Sequence, residues 1–484
     1  MSATESLAAA TIPDPQSVAG RFQRRRTFIA VRQLPSAEAG RQPSDVIPAT
    51  STSPGVHAGL LDRHRAVLPS WLALYYQHPI ELVDGEGCWV SDAEGRRYLD
   101  FFGGILTTLS GHNVPAVVEA IRDQAGRILH TSTLYLIEPM IELAEEITSR
   151  SGIPDAKVFF TTSGTEATDA ALMLATNYRR SNQVLALRNS YHGRSFAAMG
   201  VTGNRSWSAS NFSPLSVHYV HGGYRFRSPF KDLEDADYTA ACVNDLRDVI
   251  AYQTAGDLAC MIAEPVQGVG GFVVPPDGFL GAMAEVLRDH GALLISDEVQ
   301  TGWGRTGEHF WGYEAHGVVP DLLTFAKGLG NGLAIGGVVA RAEIMDALDA
   351  NHISTFGGNP LATAGALANL RYMLEHGLQE NTKRVGSRMI EELRNATSEM
   401  AVVGEVRGRG LMIGLELVEP DGYEPASDTA AEVMELTRSG GLLIGRGGLY
   451  GNCLRIAPPM SVSDTEADRG LEIVMEALHR VDRR

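Results

Sequence analysis

Lys327 closes an apolar run, Asp-Leu-Leu-Thr-Phe-Ala-Lys at 321–327, and glycines follow it at once. An ammonium at the end of a buried strand is costly unless it is paired, neutralised or used covalently. A desolvated lysine with a depressed pKa is the group that forms a Schiff base with an aldehyde. The ordinary alternative is a lysine that snorkels its charge out to solvent. The chain holds four lysines, Lys157, Lys231, Lys327 and Lys383, on an arginine-rich background, and of these just Lys327 follows such a strand.

Further reactive groups stand upstream in similar places. Ser163-Gly164-Thr165 follows an apolar run at 157–162. Glycine there lets the backbone close on an anion, the N–H groups of a first helical turn point at it, and the hydroxyls add donors; a plain Ser/Thr helix cap reads equally well. Asn189-Ser190-Tyr191-His192-Gly193-Arg194 follows the run at 184–188, and Tyr191 either stacks on a flat ring or belongs to the core. The run at 292–296 leads into Ser296-Asp297-Glu298-Val299-Gln300. A carboxylate beyond a buried parallel strand needs a cationic partner, which a protonated ring nitrogen or an arginine can supply. Val299 is then placed to pack on the ring face opposite Tyr191, and Gln300 to donate to a ring hydroxyl. Aldehyde anchor, ring-nitrogen partner, stacking residue and phosphate cup together describe a site for pyridoxal phosphate, whose ring is an electron sink for a substrate carbanion. Gly328-Leu-Gly-Asn-Gly lacks the full GxGxxG spacing of a dinucleotide loop.

The elements that must position these groups follow from hydrophobic patterning. Strands are expected at 157–162, 184–188, 259–264, 292–296 and 322–326, each nearly continuous in apolar residues, as a parallel sheet covered on both faces requires. Helices are expected at 165–180, 277–290 and 361–375. In such α/β sheets ligands collect beyond the carboxyl ends of the strands. Short half-buried strands with Asp/Glu-Gly turns are expected at 82–102, a tight turn at Gly103-Gly104 and a helix at 115–128. Past residue 365 or so come helices at 381–396, 428–438 and 464–480 and a hairpin-like pair around Gly408-Arg409-Gly410. The expected division is an irregular N-terminal extension over 1–66, an N-terminal part of a small domain over 67–128, a large domain over 129–364 and a small α+β domain over 365–484. Arg24, Arg25 and Arg26 suit an organellar presequence, whereas Glu5, Asp14, Pro13 and Pro15 count against one.

Composition narrows the function classes. A chain of 484 residues exceeds one comfortable core. A formal net charge of −17 counts against a nucleic-acid partner, so an anionic ligand must be captured by local donors. No apolar stretch has the length of a bilayer crossing, and no membrane partner is expected. Cys88, Cys242, Cys260 and Cys453 are widely spaced with no CxxC pair and read as reduced core thiols of an intracellular protein. His218 and His221 lack partners at metal-ligand spacing, so no metal site is expected. The expected compartment is the cytoplasm, or the mitochondrial matrix if the source is eukaryotic.

Several longer motifs carry a family resemblance: Tyr-Leu-Asp-Phe-Phe-Gly-Gly-Ile at 98–105, Ser-Gly-Thr-Glu-Ala at 163–167, Tyr-His-Gly-Arg at 191–194, Glu-Pro-Val-Gln-Gly at 264–268, Asp-Glu-Val-Gln-Thr-Gly at 297–302, Thr-Phe-Gly-Gly-Asn-Pro at 355–360 and Leu-Arg-Ile-Ala-Pro-Pro at 454–459. From about residue 75 onward the chain resembles the class III aminotransferases, pyridoxal-phosphate enzymes of the fold-type I, aspartate aminotransferase-like architecture: a large domain with a mostly parallel sheet and a smaller α+β domain. The likeness leans toward the alanine–glyoxylate (3-aminoisobutyrate–pyruvate) branch of mitochondrial type, at His130-Thr-Ser-Thr, at 406–414 and at 441–447.

The resemblance implies that Lys327 bonds the cofactor, Asp297 binds its pyridine nitrogen, Tyr191 and Val299 flank the ring and Gln300 reaches its hydroxyl. Ser163, Gly164 and Thr165 would hold the phosphate, with His192 and Glu264 among the cofactor contacts. Thr355 would come from the neighbouring subunit, which implies an obligate homodimer or a dimer of dimers. Arg455 matches the clamp for the substrate α-carboxylate. Relatives of the ornithine and 4-aminobutyrate type mask that clamp with a glutamate where this chain has Val269, which favours short donors and acceptors such as alanine, pyruvate or glyoxylate. Ile105 stands where ornithine-type enzymes have tyrosine, and Arg194 matches a residue that binds a distal carboxylate, leaving glutamate or 2-oxoglutarate open. The expected reaction is therefore ping-pong transamination from an amino acid or ω-amino acid to a small 2-oxo acid. The alternatives are a phospholyase acting on a phosphorylated amine and a 4-aminobutyrate/2-oxoglutarate aminotransferase. A pyridoxal-phosphate-sensing regulator would need a helix-turn-helix, and residues 1–66 show none.

Overall fold

The five apolar runs form strands to within one residue at each end, and two further strands join them in a seven-stranded sheet. The computed structural model describes residues 58–483 apart from Asn211 and Asp421. The strands are β1 (Ala156–Thr161), β2 (Gln183–Leu187), β3 (Ser216–Val220), β4 (Leu258–Ala263), β5 (Leu293–Asp297), β6 (Leu322–Phe325) and β7 (Gly336–Arg341), and their order across the sheet is β1-β7-β6-β5-β4-β2-β3. All run in the same direction except β7, which is antiparallel to its two neighbours, β1 and β6.

Period-2 alternation shows why both faces are buried. Val184, Ala186, Cys260 and Ile262 pack with Ala167, Ala171 and Leu174 of helix Gly164–Arg179. Leu185, Leu187, Met261 and Ala263 pack with helices Asp235–Gln253 and Phe279–Asp289 on the other side. The two strands without a sequence signal have physical reasons to lack one. β3 is a half-exposed edge strand beginning with Ser216, and β7 opens with Gly336-Gly337, residues depleted in strands. Gly337 is there because a Cβ would sit 2.5 Å from the Phe325 ring.

Two smaller sheets flank this core. Strands Leu82–Glu86, Trp89–Asp92 and Arg97–Asp100 form an antiparallel ribbon, and Leu442–Leu443 adds to Arg97–Asp100 in parallel. Val403–Arg409, Met412–Leu417, Cys453–Ile456 and Gly445–Gly447 form an antiparallel sheet in that order. The stretch read as an irregular extension over 1–66 needs correction at its end: Ala58–Val67 is a helix, whose mixed polar sequence carries no strong apolar stripe. The rest of that extension, including Arg24, Arg25 and Arg26, lies outside the described residues. Among the described residues no helix is long and apolar enough to cross a membrane.

The loop leaving β5 is fixed by a buried carboxylate. Glu298 is 0% exposed and accepts from Thr301 Oγ1 at 2.5 Å, from the Gly312 and Tyr313 N–H groups at 2.8 Å each and from Ser296 Oγ at 3.1 Å. That folds residues 298–313 back under the strand end that carries Asp297. Glu298→Ala strands four donors in the interior and is expected to cost about 3 kcal/mol or more. It should appear as a lower urea midpoint at unchanged slope. An unshifted midpoint would contradict the role given to this carboxylate.

Candidate active site

The carboxyl ends of β1, β2, β4, β5 and β6 open on one cavity of about 420 Å³. Its wall includes Ser163, Gly164 and Thr165 after β1, Tyr191, His192 and Arg194 after β2, Glu264 after β4, Asp297, Val299 and Gln300 at β5, and Lys327 after β6. Parallel pairing explains the convergence, since it points every carboxyl end the same way. In the β5–β6 register Asp297 lies beside Thr324, three residues short of Lys327.

Asp297 is 4% exposed and already engaged by three donors. Its Oδ2 is 2.6 Å from His192 Nδ1, and its Oδ1 accepts from the Val299 N–H at 3.1 Å and from Thr324 Oγ1 at 3.2 Å. A proton on His192 Nδ1 leaves Nε2 as an acceptor, and that atom is buried with no partner among the described residues. Glu264, also buried, accepts from the Tyr191 N–H at 2.9 Å and the Gly268 N–H at 2.8 Å. Burial pushes its carboxyl up to about 7, against the pull of His192 and the two N–H donors. Burial likewise raises the Tyr191 phenol, whose ring meets Trp207 edge-on at 5.6 Å.

Lys327 takes a left-handed backbone, φ 40°, as the chain turns out of β6 into a short 3₁₀ segment. Its amine is brought down to about 8, first by loss of water and then by nearby Arg455, with Asp297 and Glu264 pulling the other way. After β1, Ser163 caps helix Gly164–Arg179 by accepting the Glu166 N–H at 3.2 Å. Glu166 Oε2 returns to the Thr162 N–H and hydroxyl at 2.7 and 2.8 Å. The first-turn N–H groups therefore face the cavity from a rigid end, a site suited to a phosphate. Buried carboxylate, orphaned imidazole nitrogen, depressed amine and helix N-terminus in one cavity fit a phosphorylated pyridine aldehyde.

Three residues singled out in the sequence do not line this cavity. Arg455, 3% exposed, reaches it through Gln300, whose Oε1 accepts from Arg455 Nη2 at 3.0 Å. Ile105 is 48% exposed on a run of left-handed residues, Gly103 to Leu106, and Thr107 lines the wall in its place. Thr355 is exposed. Sequence reading passed over Thr324, although a hydroxyl inside an otherwise apolar strand was the available signal. It also passed over the wall at Leu333, Ala334 and Ile335, which carries none.

A lowered lysine pKa has a direct chemical consequence, because only the neutral amine attacks an aldehyde. In cofactor-free protein, reductive methylation of Lys327 should rise with pH to half its maximal rate near pH 8. A half-point near the ordinary lysine value of about 10.4 would contradict the desolvated amine. Mass mapping of the labelled peptides reads it.

Residues 74–478 match the family described as aminotransferase class-III. The chain is 40% identical over 441 residues to alanine–glyoxylate aminotransferase 2 homolog 2, mitochondrial, of Arabidopsis thaliana, across 91% of each chain. It is 35% identical over 457 residues to alanine–glyoxylate aminotransferase 2, mitochondrial, of Homo sapiens, across 90% of this chain and 89% of that one. The crystal structure of a thermostable (S)-enantioselective omega-transaminase from Thermomicrobium roseum superimposes with a TM-score of 0.81 at 35% identity, over 89% of this chain and 100% of the other. A match of that breadth, on a fold-type I architecture, settles the family: the chain belongs to the class III aminotransferases, enzymes of pyridoxal-phosphate-dependent transamination.

Proposed function

We propose that the cavity holds pyridoxal phosphate and that the enzyme moves an amino group from an amino acid or ω-amino acid to a small 2-oxo acid, pyruvate or glyoxylate first. The observation that carries this reading is Lys327, an amine lowered to about 8 in a cavity it shares with Asp297 and a helix N-terminus. When bound, the cofactor supplies an electron-withdrawing ring that stabilises negative charge on the substrate carbon. Asp297, braced by His192 and Thr324, holds the proton on the ring nitrogen. Lys327 would be the covalent anchor, and its amine would move the proton at the donor's reacting carbon. Ser163, Gly164 and Thr165 take the phosphate, Tyr191 and Val299 take the ring faces, and Gln300 the ring hydroxyl. Glu264 fixes the Tyr191 backbone through its hydrogen bond.

Arg455 is the proposed fork for the substrate α-carboxylate. Val269, buried at 6% exposure, puts no carboxylate at the place where ornithine-type relatives have one, which favours short acceptors. The two relatives named above are called alanine–glyoxylate aminotransferases, which supports the same choice. Arg194 stands at the cavity wall, where the second carboxylate of an acceptor such as 2-oxoglutarate would meet it.

The proposed assembly is a homodimer. Leu134, Tyr135 and Leu136 are 72%, 67% and 94% exposed, and Ile353 and Phe356 are 55% and 62% exposed. His130 and Phe356, with ring centroids 5.1 Å apart, bring the two segments together. A second copy is the natural cover for such a patch, and Thr355 at its centre would reach the partner's phosphate. The proposed domain division remains 67–128 with 365–484 as the small domain and 129–364 as the large one, supported by the pairing of Leu442–Leu443 with Arg97–Asp100. The word mitochondrial in the names of both relatives supports a matrix location in a eukaryotic source and the cytoplasm otherwise.

A panel of alanine, β-alanine, 3-aminoisobutyrate, 4-aminobutyrate and glutamate against pyruvate, glyoxylate and 2-oxoglutarate tests the reading. Alanine with glyoxylate, or a β-amino donor with pyruvate, should give the highest kcat/KM. Arg194→Ala should lower kcat/KM for 2-oxoglutarate by about 10- to 100-fold, the worth of a charged hydrogen bond, and that for pyruvate far less. Equal losses for both acceptors would remove Arg194 from substrate recognition.

A further inference from the structure

Arg455 sits on strand Cys453–Ile456 with glycine as its cross-strand neighbour on both sides, Gly414 and Gly445. Neither neighbour offers a side chain to pack against it. Two aromatic rings lie there in their place. The guanidinium carbon is 5.2 Å from the Phe102 ring centroid and 4.6 Å from that of Phe272, both within cation–π range. The glycines are what make room. A Cβ at Gly445 would lie 2.1 Å from the Phe102 ring, and one at Gly447 would lie 2.7 Å from Arg455 Cδ.

Phe272 is held at a conformational cost. It is 0% exposed and has φ 51°, a left-handed backbone that bulky residues seldom adopt. Such outliers persist where their surroundings over-determine them. Here Gln267 and Val273 close the turn with reciprocal N–H···O bonds of 2.9 and 3.1 Å. Arg407 Nε donates to the Gly271 carbonyl at 2.9 Å, and Cys453 Sγ donates to the same oxygen at 3.3 Å. Phe102 is fixed from the other side, its N–H donating to Asp100 Oδ1 at 3.1 Å.

We infer that Phe102 and Phe272 are positioning residues that set the plane of the Arg455 guanidinium and thereby the enzyme's grip on α-carboxylates. This rests on the proposed role of Arg455 as the carboxylate fork. A guanidinium is weakly hydrated on its faces and donates from its edge. Two rings against the guanidinium keep water away and limit its rotation, while Gln300 Oε1 occupies Nη2. The guanidinium then meets a carboxylate in a single orientation, in surroundings where charged hydrogen bonds are stronger than in water.

The test uses the cofactor-loaded enzyme, with propionate as an unreactive carboxylate followed by calorimetry and with steady-state kinetics on alanine. Phe272→Leu and Phe102→Leu should each weaken propionate binding about tenfold and raise KM for alanine similarly, with kcat changed by less than about threefold. Phe272→Tyr, which keeps an aromatic face, should recover most of the affinity. Gly445→Ala, which drives the Phe102 ring aside, should act like Phe102→Leu and serves if a leucine variant fails to fold. Arg455→Gln separates the two levels of the account. If it abolishes propionate binding while every Phe and Gly variant binds like wild type, the positioning role is overturned and the fork stands. If Arg455→Gln itself binds propionate normally, the fork falls and the positioning role falls with it.

Discussion

The constraint on which the structure turns is the placing of an amine short of water beside a carboxylate already held in place. Lys327 is brought down to about 8 chiefly by burial, and Asp297 is bound by His192, Thr324 and the Val299 N–H. Asp297 ends one strand and Lys327 follows the next, so both are anchored to the same sheet. The two strands are parallel neighbours, so their registration fixes the separation of the two groups. A pH-dependent nucleophile and a fixed acceptor follow from strand pairing before any ligand is considered.

The remaining site residues serve that pair at one remove. Glu298 folds the loop behind Asp297, and Glu264 fixes the backbone at Tyr191 while bonding Gly268 at the head of the turn that ends in Phe272. Ser163 and Glu166 close the start of helix Gly164–Arg179, so the anion-binding end stays open toward the cavity. With a net charge of −17 over the whole chain, local donors of this kind are what allow a phosphate and a carboxylate to be held.

The large sheet was readable in the sequence because its central strands are buried on both faces and therefore written as apolar runs. The edge strand Ser216–Val220 and the glycine-led strand Gly336–Arg341 were not, because half-exposure and close approach to Phe325 remove that signature. Lys327 and Asp297 were legible because a charge at the end of an apolar run is anomalous. Thr324 could have been found by the same logic. The cradle of Phe102 and Phe272 around Arg455 could not, since two phenylalanines 170 positions apart in a 484-residue chain look like core until the turn at 267–273 and the glycines at 445 and 447 are seen together. Helix Ala58–Val67 escaped for the opposite reason: its composition is polar enough to pass for loop.

The central claim is that Lys327 is where this protein joins its cofactor. Borohydride reduction of the loaded enzyme followed by peptide mapping measures that directly. The account predicts a single pyridoxyl-phosphate adduct, fixed as a secondary amine on Lys327. An adduct on Lys157, Lys231 or Lys383, or no adduct at all from a fully loaded enzyme, would contradict it.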